Sequence, residues 1–211
     1  MDKVRIFCEG FSDQRFLRDF ISLNYQIEIT DKQLKDNTII HCLGGWTNLN
    51  NVKTKITEDF SEYTSLIFLD ADDEETPEKA GIEQTRKYID NLMQSWNWKK
   101  YDKYIFPNNE DQKGEVEDFL ENIINPKNSD IFDCWNLFEN CLSTKDKRFN
   151  VPAKKSKIYL YHESLHGNSS AEKNKCKDSG RDFKNKNLWD LEVDNNPYLK
   201  KLKNFLDQYL K

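Results

Sequence analysis

Ser65-Leu66-Ile67-Phe68-Leu69, followed at once by Asp70-Ala71-Asp72-Asp73-Glu74-Glu75, is the stretch that decides the fold. Four large apolar side chains in a row, with no charge among them, match a short central strand buried on both faces. Strands of that kind belong to parallel sheets covered by helices, and in open parallel sheets ligands bind beyond the carboxyl ends of the strands. Five carboxylates stand in the six residues that leave this strand. Packed so closely they repel one another unless a cation or a shared proton intervenes. Mg2+ suits that role, because it is held by one or two carboxylates together with waters and substrate phosphates. Acids are also favoured in the first turn of a helix, a reading that weighs more on Asp73, Glu74 and Glu75 than on Asp70 and Asp72.

Working outward, Lys3–Glu9 alternates and then runs apolar, a first strand ended by Gly10. Like the central strand it ends in a carboxylate, so Glu9 projects toward Asp70 and Asp72 if the two strands are neighbours. Ser12 can cap a helix carrying Phe16, Leu17, Phe20 and Ile21 at helical spacing. Thr38–Leu43 reads as a second strand, followed by a helix marked by Leu49, Val52, Ile56 and Phe60. Pro77 suits the first turn of a helix reaching about Gln94. Tyr104–Phe106 is a brief fourth strand, and Gly114 precedes a helix with Val116, Phe119, Leu120 and Ile123 on one face. Strands alternating with helices in this way predict an α/β fold, a mostly parallel sheet of about four strands flanked by helices, over residues 1–125.

Beyond Pro126 the pattern is helical. Ile131, Trp135, Phe138 and Leu142 predict one helix and Ile158–Leu165 another. Ser169–Asn187 reads as a polar surface loop, and Pro197 opens a last helix with Leu199, Leu202, Phe205, Leu206 and Tyr209 inward. Residues 126–211 therefore form a C-terminal helical annex packed on the core.

Composition limits the classes open to the chain. Its 211 residues hold 32 Lys+Arg against 37 Asp+Glu, a net −5, and 27 aromatics among Phe, Tyr and Trp. So many aromatics exclude a disordered chain. No apolar stretch approaches the roughly 18–20 residues of a membrane span, and the start Met1-Asp2-Lys3-Val4-Arg5 lacks the apolar segment of a signal peptide. Five scattered cysteines, with no Cys-x-x-Cys pair, argue against both a disulfide framework and a clustered zinc site. A soluble, cytoplasmic protein with no membrane partner is the expectation. The charge is also split: 16 basic and 28 acidic residues up to position 140, a net −12, and 16 basic against 9 acidic beyond it, a net +7. Twelve cations in 145–186, interleaved with aromatic residues, could hold phosphates and stack bases. Lys and Asn are abundant throughout, so a solvated loop is the plain alternative.

Cys8-Glu9-Gly10-Phe11-Ser12-Asp13 resembles the glutamate motif of Toprim domains, and Asp70-Ala71-Asp72 resembles their Asp-x-Asp motif. The closest similarity is to small stand-alone bacterial Toprim-like proteins, related to the nuclease domain of OLD-family proteins. Asn108-Asn109 followed by Gly114-Glu115-Val116-Glu117 is similar to the glycine-and-acid helix start of that group. Ser179–Phe183, Trp189 and Leu206 are similar to its tail, so the resemblance covers most of the chain. It implies a Toprim-like fold and Mg2+-dependent (or Mn2+-dependent) hydrolysis of nucleic-acid phosphodiesters, in defence or repair. Asp70 and Asp72 would hold the metal; Glu9 would bind it through water or act as general acid/base; Glu117 would serve a second ion. Asp13 reads as a helix-start residue. The basic residue that OLD-type nucleases place after their acidic helix has no clear match. Lys154 and Lys155 are candidates by position, and Arg181 joins them as a substrate-binding cation. The alternative is a non-catalytic module binding nucleic acid or protein, and a protein partner or homo-oligomer is compatible with either reading.

His162-Glu163-Ser164-Leu165-His166 also matches the H-E-x-x-H pattern of zinc metalloproteases. Gly167 follows at once, where the helix should continue, and a third ligand is not obvious, Glu172 lying close in sequence and Glu192 further on, so surface or partly buried histidines are the plainer reading and a zinc metalloprotease is the second alternative. Glycosyltransferases place Asp-x-Asp after an apolar strand, yet they do not explain Glu9-Gly10. The chain has no dinucleotide-binding glycine fingerprint, no Walker loop and no Gly-x-Ser-x-Gly.

Overall fold

A computed structural model describes residues 3–36, 39–55, 62–72, 80–110 and 113–211. The chain runs β1 (Lys3–Cys8), α1 (Phe11–Tyr25), α2 (Asp31–Lys35), β2 (Ile40–Cys42), α3 (Val52–Lys55), β3 (Tyr63–Asp70), α4 (Ile82–Ser95), β4 (Tyr101–Phe106) and α5 (Val116–Glu121). The annex adds α6 (Asp130–Ser143), α7 (Lys154–Leu165), α8 (Ser170–Cys176) and α9 (Pro197–Leu210). All four described strands are parallel, in the order β2-β1-β3-β4. The α/β sheet with C-terminal helices expected from the sequence is the fold observed.

Alternation along each strand builds two apolar layers. Ile6, Cys8, Leu66, Phe68, Tyr104 and Phe106 face α1, α5 and the annex, while Phe7, Ile67, Leu69 and Ile105 face α4. The first layer joins core to annex: Phe16 of α1, Phe119 of α5, Ile158 of α7, Trp189 and Leu206 of α9 belong to one buried cluster. Burying each of these large side chains contributes roughly 1.5–3 kcal/mol. Among the described residues no helix is long and apolar enough to cross a membrane.

Several local expectations change. β4 begins three residues earlier than the apolar run suggests, because Tyr101, Asp102 and Lys103 pair with Ser65, Leu66 and Ile67 of β3. Leu49 lies in a 3-10 turn, Trp46–Asn51, ahead of the short α3. Thr38, Ile56, Phe60 and Pro77, named for a strand and two helices, lie outside the described residues. The expected loop Ser169–Asn187 contains α8 and buries Cys176, Arg181 and Phe183. Backbone contacts hold it down: the Phe183 N–H donates to Asp19 Oδ2 at 2.9 Å, and Asp19 is wholly buried. Of the apolar positions that marked α6, Trp135 is buried and Phe138 is 45% exposed.

The strand order matters for function. From β1 the chain goes to β2 on one side, then crosses to β3 on the other. The carboxyl ends of β1 and β3 are thus a topological switch point, where helices diverge and leave a crevice. Cys8 pairs with Phe68, so Glu9 and Asp70 leave adjacent strands within one residue of the same register.

Candidate active site

Glu9 follows β1 directly and is half-buried, its carbonyl accepting the N–H groups of Gly44 and Gly45 at 3.0 Å each. Gly10 then caps α1, and its N–H donates to Asp13 Oδ2 at 2.5 Å. Asp13 is indeed a helix-start residue, yet it is only 3% exposed, and among the described residues its Oδ1 has no hydrogen-bond partner. Burial pushes its carboxyl up to about 7; the Gly10 N–H opposes this, and the nearby charges of Glu117 and Glu9 add to it.

Asp70 ends β3, and its Oδ1 accepts the Val116 N–H at 2.9 Å. That bond satisfies one of the four orphan donors at the start of α5 from a distant part of the chain. Ala71 and Gly114 exchange backbone hydrogen bonds of 2.9 and 2.8 Å, fastening the same helix start to the end of β3. Gly114 has φ +152°, and a Cβ there would lie 2.6 Å from Asp118 Oδ2, so only glycine lets the helix start approach. Asp72 is half-buried, its carbonyl accepting the Gly81 N–H at 2.9 Å.

This clamp carries Glu117 into the interior. It is 1% exposed, and among the described residues neither carboxylate oxygen has a partner. Burial raises its pKa against the pull of Lys155. Glu115, half-buried, is raised in the same way, with Asp118 and Asp72 adding to it and Lys154 and Lys155 opposing. The annex supplies the cations. Lys155 is open to solvent; partial desolvation lowers its pKa, but the carboxylates of Glu117, Asp178, Asp13 and Asp70 outweigh that and raise it. Lys154 is tied to Asp118 at 2.7 Å. Of the two lysines suggested by position, Lys154 faces Glu115 and Asp118, while Lys155 stands open to solvent with Glu117, Asp13 and Asp70 acting on it.

The DUF3226 family model, described as "Protein of unknown function", matches residues 3–211. The chain belongs to the DUF3226 family. No curated protein and no solved structure matches it. The DUF3226 match spans both sheet and annex, so the carboxylate edge and Lys155 lie within a single family region.

Two groups singled out in this DUF3226 chain sit elsewhere than the sequence suggests. Arg181, placed by the sequence among the substrate cations, is 2% exposed: its Nη1 donates to Ser12 at 2.7 Å and its Nη2 pairs with Asp178 at 2.8 Å. Burial lowers its pKa, with Asp178, Glu117 and Asp13 opposing. It neutralises the site from beneath and pins the annex to α1. His162 is wholly buried, and among the described residues neither ring nitrogen has a partner. Burial, with Arg181 and His166 adding, holds it down at about 3 and therefore neutral. α7 stops at Leu165, and His166 turns to Glu172 at 3.1 Å. The two rings stack 5.8 Å apart at 11°.

Among the described residues no group of three or more His, Cys, Asp or Glu side chains is arranged as a metal cage. Asp73, Glu74 and Glu75 lie outside the described residues. Mg2+ does not need such a cage, since one or two carboxylates with waters and phosphates suffice. The donors at the edge are hard oxygens, and among the described residues buried carboxylate oxygens at Asp13 and Glu117 lack partners. The residues present fit a hard divalent cation. Sequence reasoning missed the depth of Asp13 and the part played by Glu115; their spacing from Glu9 and Glu117 was the available signal.

Proposed function

We propose that this chain is a Mg2+- or Mn2+-dependent nuclease or phosphoesterase acting on nucleic-acid phosphodiesters in the cytoplasm, with a Toprim-like site. The observation that carries the reading is the meeting, at a topological switch point, of under-partnered buried carboxylates from the core with a solvent-open lysine from the annex. Asp70 and Asp72 would hold the ion with Glu9, and Glu117 would serve a second one. Such an ion, when bound, supplies Lewis-acid polarisation of a phosphoryl oxygen. Lys155 offers a solvent-open ammonium for a backbone phosphate, close enough to feel Glu117 and Asp70. Asp13, with a pKa of about 7, can take up or release a proton near neutrality at its Oδ1. All five cysteines are free thiols, as a reducing compartment allows.

One observation favours the non-catalytic module instead: Asp70 Oδ1 already accepts from Val116. A single assay separates the two. The proposal expects divalent-dependent cleavage of DNA or RNA, reduced at least ~100-fold in Asp70→Asn and in Asp72→Asn, on the scale of losing one electrostatic contact to the transition state. Asparagine keeps an oxygen for the Val116 N–H, so Asp70→Asn removes the charge without uncapping α5. Tight nucleic-acid binding with no turnover under any divalent ion would establish the binding module.

A further inference from the structure

α6 has two apolar faces and only one of them is covered. Ile131, Phe132 and Trp135 turn toward the molecule, Phe132 and Trp135 being buried. About a third of a turn away, Cys134, Leu137, Phe138 and Cys141 recur at helical spacing and stand in solvent, Leu137 at 70% and Phe138 at 45% exposure. A helix that is apolar on two sides belongs in an interior, and contiguous exposed apolar surface marks an interaction site. Beyond the helix Phe149 and Val151 are exposed as well, at 48% and 45%.

The geometry points to a second copy of this chain as the occupant, packed antiparallel, α6 against α6, about a two-fold axis between Leu137 and Phe138. The stripe is symmetric about that point, so Cys134 of one copy faces Cys141 of the other and Leu137 faces Phe138. The charges settle the direction. Exposed Asp130 and Asp133 lie at the start of α6, and exposed Lys145, Lys147 and Arg148 follow its end, in a segment that stays net basic although Asp146 lies in it and pairs with Arg148 at 3.8 Å. Antiparallel packing sets the acidic start of each helix beside the basic segment of its partner, Asp130 toward Lys145. Parallel packing would set acid on acid and base on base. A two-fold contact of this kind is isologous, each copy offering the same patch. The proposal is independent of the nuclease reading, since it uses none of the residues at the sheet edge.

The test is sedimentation equilibrium of the full chain, together with thiol cross-linking by a short bismaleimide. The wild type is expected at twice the monomer mass. Leu137→Glu, at an exposed position, is expected to halve that mass while leaving circular dichroism unchanged, and to melt at a temperature independent of protein concentration, unlike the wild type. Cys134→Ser and Cys141→Ser should each lose the cross-linked dimer, and an equimolar mixture of the two should recover it, through Cys141 of one protein and Cys134 of the other. The double variant supplies the blank for half-buried Cys42. A wild type that stays monomeric, a dimer that survives Leu137→Glu, or cross-linking retained in either single variant would overturn the proposal.

Discussion

Two groups of carboxylates in this molecule are treated in opposite ways. At the carboxyl edge of the sheet, Asp13 and Glu117 are buried almost completely, lack partners for three of their four oxygens among the described residues, and are raised in pKa. At the end of α9, Asp207 is partly open yet accepts from Tyr25 at 2.9 Å, Lys203 at 2.7 Å and Lys211 at 2.5 Å. Slight burial works against it, but hydrogen bonds from Lys203, Lys211 and Tyr25 bring it down to about 2. The second arrangement fastens α9 to α1 and stabilises the fold. The first costs stability, since a buried charge without hydrogen bonds is expensive. Carboxylates held in that condition at a switch point are what a site for a cation or a proton requires.

The largest expected effect comes from breaking the balance at the edge. Arg181 is the buried cation beneath Asp13 and Glu117 and also holds Asp178 and Ser12. Arg181→Met should destabilise the chain by about 3–5 kcal/mol, the range for removing one partner of a buried ionic group. Adding Glu117→Gln should return part of that loss, giving a favourable coupling in a double-mutant cycle read by urea denaturation. If the two losses simply add, Arg181 is not balancing Glu117 and the edge is not one electrostatic unit.

This unit shows where sequence reading stops. The strands and their order of succession were legible because apolar runs bounded by Gly, Pro and charge leave few alternatives, and Glu9, Asp70 and Asp72 followed from ending such runs. Arg181 was not legible, because a short polar segment gives no sign that backbone bonds to Asp19 will draw it under α1. Lys154 and Lys155 were indistinguishable, since neighbours on a helix point in different directions and only packing decides which meets the site. The exposure of Phe138 was not legible for a related reason: helical spacing identifies apolar positions, but α6 has two apolar faces, and the period does not say which is covered.

A smaller effect, of opposite sign, is expected from Asp13→Asn. The folded carboxyl titrates at about 7, above its ordinary value of 3.8. Between these values the unfolded chain releases its proton and the folded one keeps it, so the wild type loses stability as pH rises from about 4 to about 7. Asparagine still offers an oxygen to the Gly10 N–H and removes that titration. The variant should match the wild type near pH 4 and exceed it by roughly 1–3 kcal/mol at pH 8, the cost of an unsatisfied buried group. Equal pH profiles for the two proteins would place the ionised carboxylate in a satisfied environment and remove the contrast with Asp207.

The smallest effect belongs to the satisfied carboxylate. Asp207→Asn keeps an acceptor for Tyr25 and loses the charge facing Lys203 and Lys211, so at pH 7 it should cost about 1 kcal/mol or less, as for exposed ion pairs. Its pH dependence runs the other way from that of Asp13. A folded pKa depressed to about 2 contributes stability above the ordinary 3.8 and loses it as pH falls toward 2. The gap between wild type and Asp207→Asn should therefore close on acidification, whereas the gap for Asp13→Asn opens on going to alkaline pH. Thermal melts of both variants from pH 2 to pH 8 read the two slopes in one series. Slopes of the same sign would mean that burial without partners, the feature distinguishing the sheet edge from the α9 clasp, does not govern how these carboxylates ionise.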